Sequence, residues 1–164
     1  MGVSEYDVAD LLKKHGLTVA TAESCTGGLV SGRIINVPGA SDIINVGFVT
    51  YSNEAKMEYL GVSDLTLEKH GAVSMQCAKE MAEGAAEHTG SDVGLSTTGI
   101  AGPDGGTEEK PVGLVYIGCS IRGKTKVSEH RFKGDRKEVR ESAVAAALAL
   151  LYDHVTDCLT ETDK

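Results

Sequence analysis

At 164 residues the chain is long enough for one domain with its own apolar core, with no need of disulfides or a structural metal. A formal net charge of −8 argues against a general nucleic-acid binder, so no direct nucleic-acid contact is expected. Four separated cysteines (Cys25, Cys77, Cys119, Cys158), five scattered histidines, and no basic-then-apolar leader or uninterrupted membrane-length run point to a cytoplasmic protein with reduced thiols, no metal and no membrane contact.

Helical spacing of Val3, Tyr6, Val8, Leu11 and Leu12 predicts a first helix that stops at His15-Gly16. The apolar run Leu17 to Ala22 reads as a strand. It ends against the small-residue turn Glu23-Ser24-Cys25-Thr26-Gly27-Gly28, after which a helix is expected from Thr26 to about Asn36. A helix starting there would aim free N–H groups and the positive end of its dipole into the turn, a place suited to an anion or an oxyanion. Pro38-Gly39 breaks the chain, and Val46 to Tyr51 reads as a second strand. Ser52 and Asn53 are N-caps for a helix through Leu60, and Ser74 opens another that runs to His88.

Val93 to Thr98 is the third strand, followed by a glycine-rich loop from Gly99 to Gly106. Pro111 opens a fourth strand, Val112 to Ile121, which the turn at Arg122-Gly123 joins to Lys124 to Phe132 as an antiparallel hairpin. Asp135 caps a last, apolar helix through about His154. Alternating strands and helices make an α/β domain with a mostly parallel sheet and an antiparallel edge. Twenty glycines, many alanines, two Phe and no Trp predict close helix–sheet packing in place of an aromatic core.

Three unusual segments fall at the carboxyl ends of strands, where such sheets bind ligands: the Ser24 turn, Tyr51 to Lys56, and the loop from Gly99 to Lys110. Ser24 is the candidate nucleophile, with Cys25 as its rival. No histidine lies in these segments, so the candidate base is Lys56, with Tyr51 to relay the proton or orient the base. Spacing alone favours the commoner case, in which Lys56 is a solvated helix residue pairing with Glu54 or Glu58. Glu23, Thr26, Gly27, Gly28, Ser52, Asn53, Gly99, Gly102, Gly105, Gly106 and Lys110 are the candidate substrate-binding residues. The positive run Arg131, Lys133, Arg136, Lys137 and Arg140 reads more simply as a solvated helix face.

Thr21-Ala22-Glu23-Ser24-Cys25-Thr26-Gly27-Gly28, Gly47 to Lys56, His70-Gly71-Ala72-Val73-Ser74, and Gly99 to Gly106 with Glu108 to Gly113 together resemble the CinA carboxy-terminal domain family. The likeness runs from Val3 into the last helix. It implies a three-layer α/β/α domain that deamidates nicotinamide mononucleotide to nicotinic acid mononucleotide and ammonia without a cofactor. A serine–lysine–tyrosine mechanism, mapped by motif onto Ser24, Lys56 and Tyr51, comes with it. The partners then expected are a small nucleotide substrate and further copies of the chain in a homo-oligomer. Larger family members carry an amino-terminal pyrophosphatase-like domain that this chain is expected to lack, and a non-enzymatic competence or DNA-damage role, or nucleotide binding alone, is the alternative reading.

Overall fold

Six α-helices and five strands are spread through residues 2–162, the part of the chain that the computed structural model describes. In chain order they are α1 (Glu5–His15), β1 (Val19–Glu23), α2 (Leu29–Ile35), β2 (Ile44–Val49), α3 (Asn53–Leu60), α4 (Asp64–His70), α5 (Met75–Thr89), β3 (Val93–Gly99), β4 (Leu114–Ile121), β5 (Lys124–Arg131) and α6 (Arg136–Thr162). The strands form one sheet in the order β2-β1-β3-β4-β5. β1 pairs in parallel with both β2 and β3, and β4 and β5 add two antiparallel pairs, so the sheet is mixed, with the expected hairpin at one edge.

Two apolar clusters make this a three-layer domain. One face of the sheet gathers Val8, Leu12, Val30, Ile34, Leu148 and Leu151 from α1, α2 and α6, and the other gathers Leu60, Leu67, Cys77 and Met81 from α3, α4 and α5. α6 has the length and apolar composition of a membrane span, yet half of that stretch is buried inside the fold, as suits a core helix.

Several boundaries differ from the sequence reading, each for a local reason. α2 starts at Leu29 and not Thr26, because Gly27 and Gly28 adopt positive φ angles of 58° and 104°. β2 ends at Val49, two residues early, since Thr50 and Tyr51 turn toward α3, whose N-cap Ser52 accepts the Ala55 N–H. β4 begins at Leu114 rather than Val112, and α6 continues past His154 through Val155 and Cys158, both buried. α4, a seven-residue helix without a side-chain cap bond, carries too little periodicity to be read from sequence.

The small-residue core lets α5 lie directly on the sheet. A methyl group at Gly94 of β3 would stand 1.8 Å from the Ala82 carbonyl oxygen of α5, and one at Gly84 would stand 1.9 Å from the Leu60 carbonyl. Backbone meets backbone there. Gly94→Ala should therefore cost about 2–3 kcal/mol or more, because neither element can retreat without opening the core. Gly32, helical and with nothing within 4 Å of its missing Cβ, is the control: Gly32→Ala should be neutral or stabilising by up to about 1 kcal/mol. Urea unfolding of both variants checks this, and equal effects would contradict the packing account.

Candidate active site

Ser24 is the first residue beyond β1, and its N–H donates to the Thr97 carbonyl at 3.0 Å, extending the β1–β3 ladder by one bond. Lys56 lies four residues into the helical run from the N-cap Ser52. Side chains on a helix lean toward its N-terminus, so Lys56 points back over the first turn toward the carboxyl edge of the sheet. Its Nζ donates to Ser24 Oγ at 3.0 Å and to the Thr50 carbonyl at 2.7 Å. Only 1% of Lys56 is exposed and no carboxylate among the described residues pairs with it, so burial lowers its pKa from the ordinary lysine value. A lysine this deep is not the solvated helix residue that spacing alone allowed.

Above the pair lies a cavity of about 230 Å³ lined by Ser24, Lys56, Tyr51, Asn53, Thr98 and Arg136 among others, with Gly99 and Ala101 bringing the third segment to it. The three segments do converge. Cys25 also reaches this cavity, but burial pushes its thiol up to about 11, which leaves almost no thiolate at neutral pH and makes it a poor rival to Ser24.

Other candidates fall elsewhere. Glu23 is 1% exposed, and its carboxylate accepts the N–H groups of Val30 and Ser31 and the hydroxyls of Ser31 and Thr26. The positive end of α2 is therefore satisfied by the chain's own carboxylate, and the anion site expected at that helix start is already filled. Thr26, fully buried between Glu23 and Thr97, cannot meet a ligand. Gly27 and Gly28 shape the turn, and Gly28 faces a separate groove between α2 and α6. Ser52 spends its hydroxyl as the α3 cap.

Within the third loop, a methyl at Gly102 would lie 2.4 Å from Val112 Cγ1 and one at Gly106 2.7 Å from the Val112 nitrogen, so these glycines fold the loop onto its own end. Gly105 and Gly106 do not line the cavity. Lys110 straps the loop to the α4–α5 connection by donating to the His70 carbonyl at 2.6 Å, and it too stays outside. Asn53 is different: it lines the cavity, and its carboxamide has no hydrogen-bond partner among the described residues.

Tyr51 stands at the mouth, 64% exposed, and its hydroxyl accepts from Arg136 Nη2 at 3.1 Å; it is not hydrogen-bonded to Ser24 or Lys56. Arg136 also donates to the Gly102 carbonyl at 2.8 Å. Four residues on, Arg140 holds the Cys25 and Thr26 carbonyls at 3.0 and 3.1 Å, fixing the turn beside Ser24. Sequence reading left both arginines on a solvated face. The available signal was topological: β5 runs back to the carboxyl edge of the sheet, so α6 must begin at the cavity, and residues four apart share one helix face.

These features define an α/β/α domain with a buried serine–lysine pair at the carboxyl edge of its parallel strands. The CinA C-terminal domain family matches residues 3–155, and the chain belongs to that family. It is 58% identical over 147 residues to a competence-damage inducible protein of Clostridium novyi and 56% identical over 144 residues to a CinA-like protein of Kosmotoga olearia. Those matches cover 90% and 88% of this chain but only 36% and 35% of the relatives, so it spans about a third of their length. Among solved structures, the competence/damage inducible protein CihA of Agrobacterium tumefaciens is 42% identical with a TM-score of 0.84, covering 92% of this chain and 97% of that one. The competence damage-inducible protein A of Klebsiella pneumoniae is 34% identical with a TM-score of 0.89, covering 94% and 98%.

Two outcomes are expected of the site's own physics. Glu23→Ala strands two backbone donors and two hydroxyls inside the fold and should cost about 3 kcal/mol or more in urea unfolding, with Glu23→Gln intermediate; a loss under about 0.5 kcal/mol would contradict the bracing role. For Lys56 the folded-state pKa lies below the unfolded value of about 10.4, so the folded state binds fewer protons between the two and stability rises with pH through that window. Lys56→Met lacks the buried ammonium. The stability of the wild type relative to Lys56→Met should accordingly improve from neutral pH toward pH ~10, and a pH-independent difference would count against a depressed lysine.

Proposed function

We propose that the domain is a serine amidohydrolase that deamidates nicotinamide mononucleotide. The observation that carries this reading is the buried contact of 3.0 Å between Lys56 Nζ and Ser24 Oγ at the floor of an open cavity. In its neutral form Lys56 keeps one N–H on the Thr50 carbonyl while its lone pair accepts the Ser24 proton. Ser24 Oγ then attacks the carboxamide carbon. Lys56 returns the proton to the leaving nitrogen, the C–N bond breaks, and ammonia departs from a seryl ester. Water, giving its proton to the same lysine, hydrolyses that ester to the carboxylate and restores the hydroxyl.

At about 230 Å³ the cavity is smaller than the ~300–1,000 Å³ typical of whole-ligand sites. A nicotinamide ring fits inside while ribose and phosphate extend to the mouth. Arg136, bound to Gly102 and Tyr51, is the cation a phosphate meets there, and Asn53 offers a free carboxamide to the ring or sugar. Tyr51 is placed on this reading to position the nucleotide through Arg136.

Purified protein should release ammonia from nicotinamide mononucleotide. Ser24→Ala and Lys56→Arg should each lower kcat at least about a thousandfold with the fold intact, since arginine keeps the charge but cannot accept the proton. Cys25→Ala should keep substantial activity. Nicotinamide riboside, without the phosphate, should lose about 2–4 kcal/mol of transition-state binding, roughly thirtyfold to a thousandfold in kcat/KM. Equal rates for nucleotide and riboside would remove the phosphate contact, and an active Ser24→Ala variant would remove the mechanism. Tight nucleotide binding without hydrolysis would shift the reading to a binding module.

A further inference from the structure

The basic run at the start of α6 divides between two cavities. Arg136 faces the mouth above Ser24, whereas Lys137 and Arg140 line a groove between α2 and α6, with Arg33 of α2 on its other side. The groove measures about 560 Å³, against about 230 Å³ for the cavity above Ser24. It therefore falls within the ~300–1,000 Å³ that take a whole small ligand.

Its cations are poorly matched within the fold. Arg33 and Lys137 donate no side-chain hydrogen bond among the described residues. Each has one carboxylate near it, Glu5 and Glu141, both at 3.9 Å, well beyond the roughly 2.7–2.9 Å of a charge-assisted bond. Glu141 is the one carboxylate on the groove lining, so three cations face a single anion in a chain of net charge −8. Arg140 spends Nε and Nη2 on the Cys25 and Thr26 carbonyls, and its Nη1 has no acceptor among the described residues. The rest of the lining is of another kind. Leu29, 41% exposed, and Val144 give an apolar surface, and the carboxamide of Asn36 has no partner among the described residues. Nothing lies within 4 Å of the missing Cβ of Gly32, so bare backbone leaves that part of the groove open.

We propose that this groove is a second ligand site, separate from the candidate active site, for a phosphorylated small molecule with a flat apolar part, about the size of a nucleoside monophosphate. The phosphate meets Arg33, Lys137 and the spare Nη1 of Arg140, since guanidinium groups match phosphate oxygens in charge and geometry. The flat part lies on Leu29 and Val144, and Asn36 offers a hydrogen bond to its edge. Arg140 gives the site a reach beyond the groove. Because it also holds the Cys25 and Thr26 carbonyls, a ligand that draws on its guanidinium acts on the turn that carries Ser24.

Calorimetry on the whole chain with adenosine monophosphate and with adenosine tests this, whatever reaction Ser24 performs. The nucleotide should bind, and adenosine, without the phosphate, should bind at least about tenfold more weakly. Arg33→Glu combined with Lys137→Glu should weaken the nucleotide at least about tenfold. Gly32→Met, which fills the groove without changing its charge, should do the same, while Arg136→Glu, at the other cavity, should leave binding in place. In the wild type, nuclear magnetic resonance should show the nucleotide moving the Gly28 and Gly32 amides together with those of Cys25 and Thr26. If one groove variant fails to fold, the other and the wild-type resonances decide. No binding at up to about 5 mM nucleotide, equal binding of adenosine, or binding that the groove variants keep and Arg136→Glu abolishes each overturns the proposal.

Discussion

A primary amine held between a serine hydroxyl and a backbone carbonyl, almost out of reach of water, is the constraint around which this domain is organised. Lys56 could instead have reached solvent along the surface of α3. It is kept inside by the N-cap at Ser52, which starts α3 at the carboxyl edge of the sheet, and by the lean of its side chain back toward Thr50. Burial without a carboxylate partner among the described residues penalises the ammonium and holds the lysine below its ordinary pKa. Placing a carboxylate against Lys56 would stabilise the charged form and, on the proposed mechanism, remove its base.

Glu23 does a complementary job one residue before Ser24. By accepting four donors, it closes the start of α2 and fastens the strand end to the helix, while Arg140 holds the next two carbonyls from the opposite side. The Ser24 turn is thereby clamped from below by a buried carboxylate and from the side by a guanidinium. Rigid support of this kind is what a reacting hydroxyl needs, because small displacements from a productive geometry are costly in rate. Close packing contributes to the same end: with α5 seated on bare glycine backbone, the sheet edge that carries the site has little freedom to shift.

Much of this was legible in the residues themselves. Periodicity, caps and glycine punctuation located ten of the eleven helices and strands, all but α4, well enough to order them, and the small-residue composition foretold helix–sheet contact at backbone distance. The convergence of the Ser24 turn, the Tyr51–Lys56 segment and the loop after β3 followed from one topological rule, that the carboxyl ends of parallel strands share an edge. Four linear motifs then sufficed to mark the family, since motifs of that length are local properties of the chain.

What the sequence could not decide was the direction and company of each polar side chain. Glu23 and Thr26 sit in the same motif as Ser24 yet point into the fold; Lys110, in a loop rich in glycine, becomes a strap; Arg136 and Arg140, in a basic run, become parts of the site. These outcomes depend on contacts such as Arg140 with Cys25, 115 positions apart, that no local pattern encodes. Sequence by itself determined the element types, the α/β class and the chemistry-bearing segments, because those rest on local propensity and hydrophobic period. Only the tertiary structure decided which hydroxyl met which amine and which carboxylate was consumed as a brace, because burial and hydrogen-bond satisfaction are settled by neighbours distant in the chain.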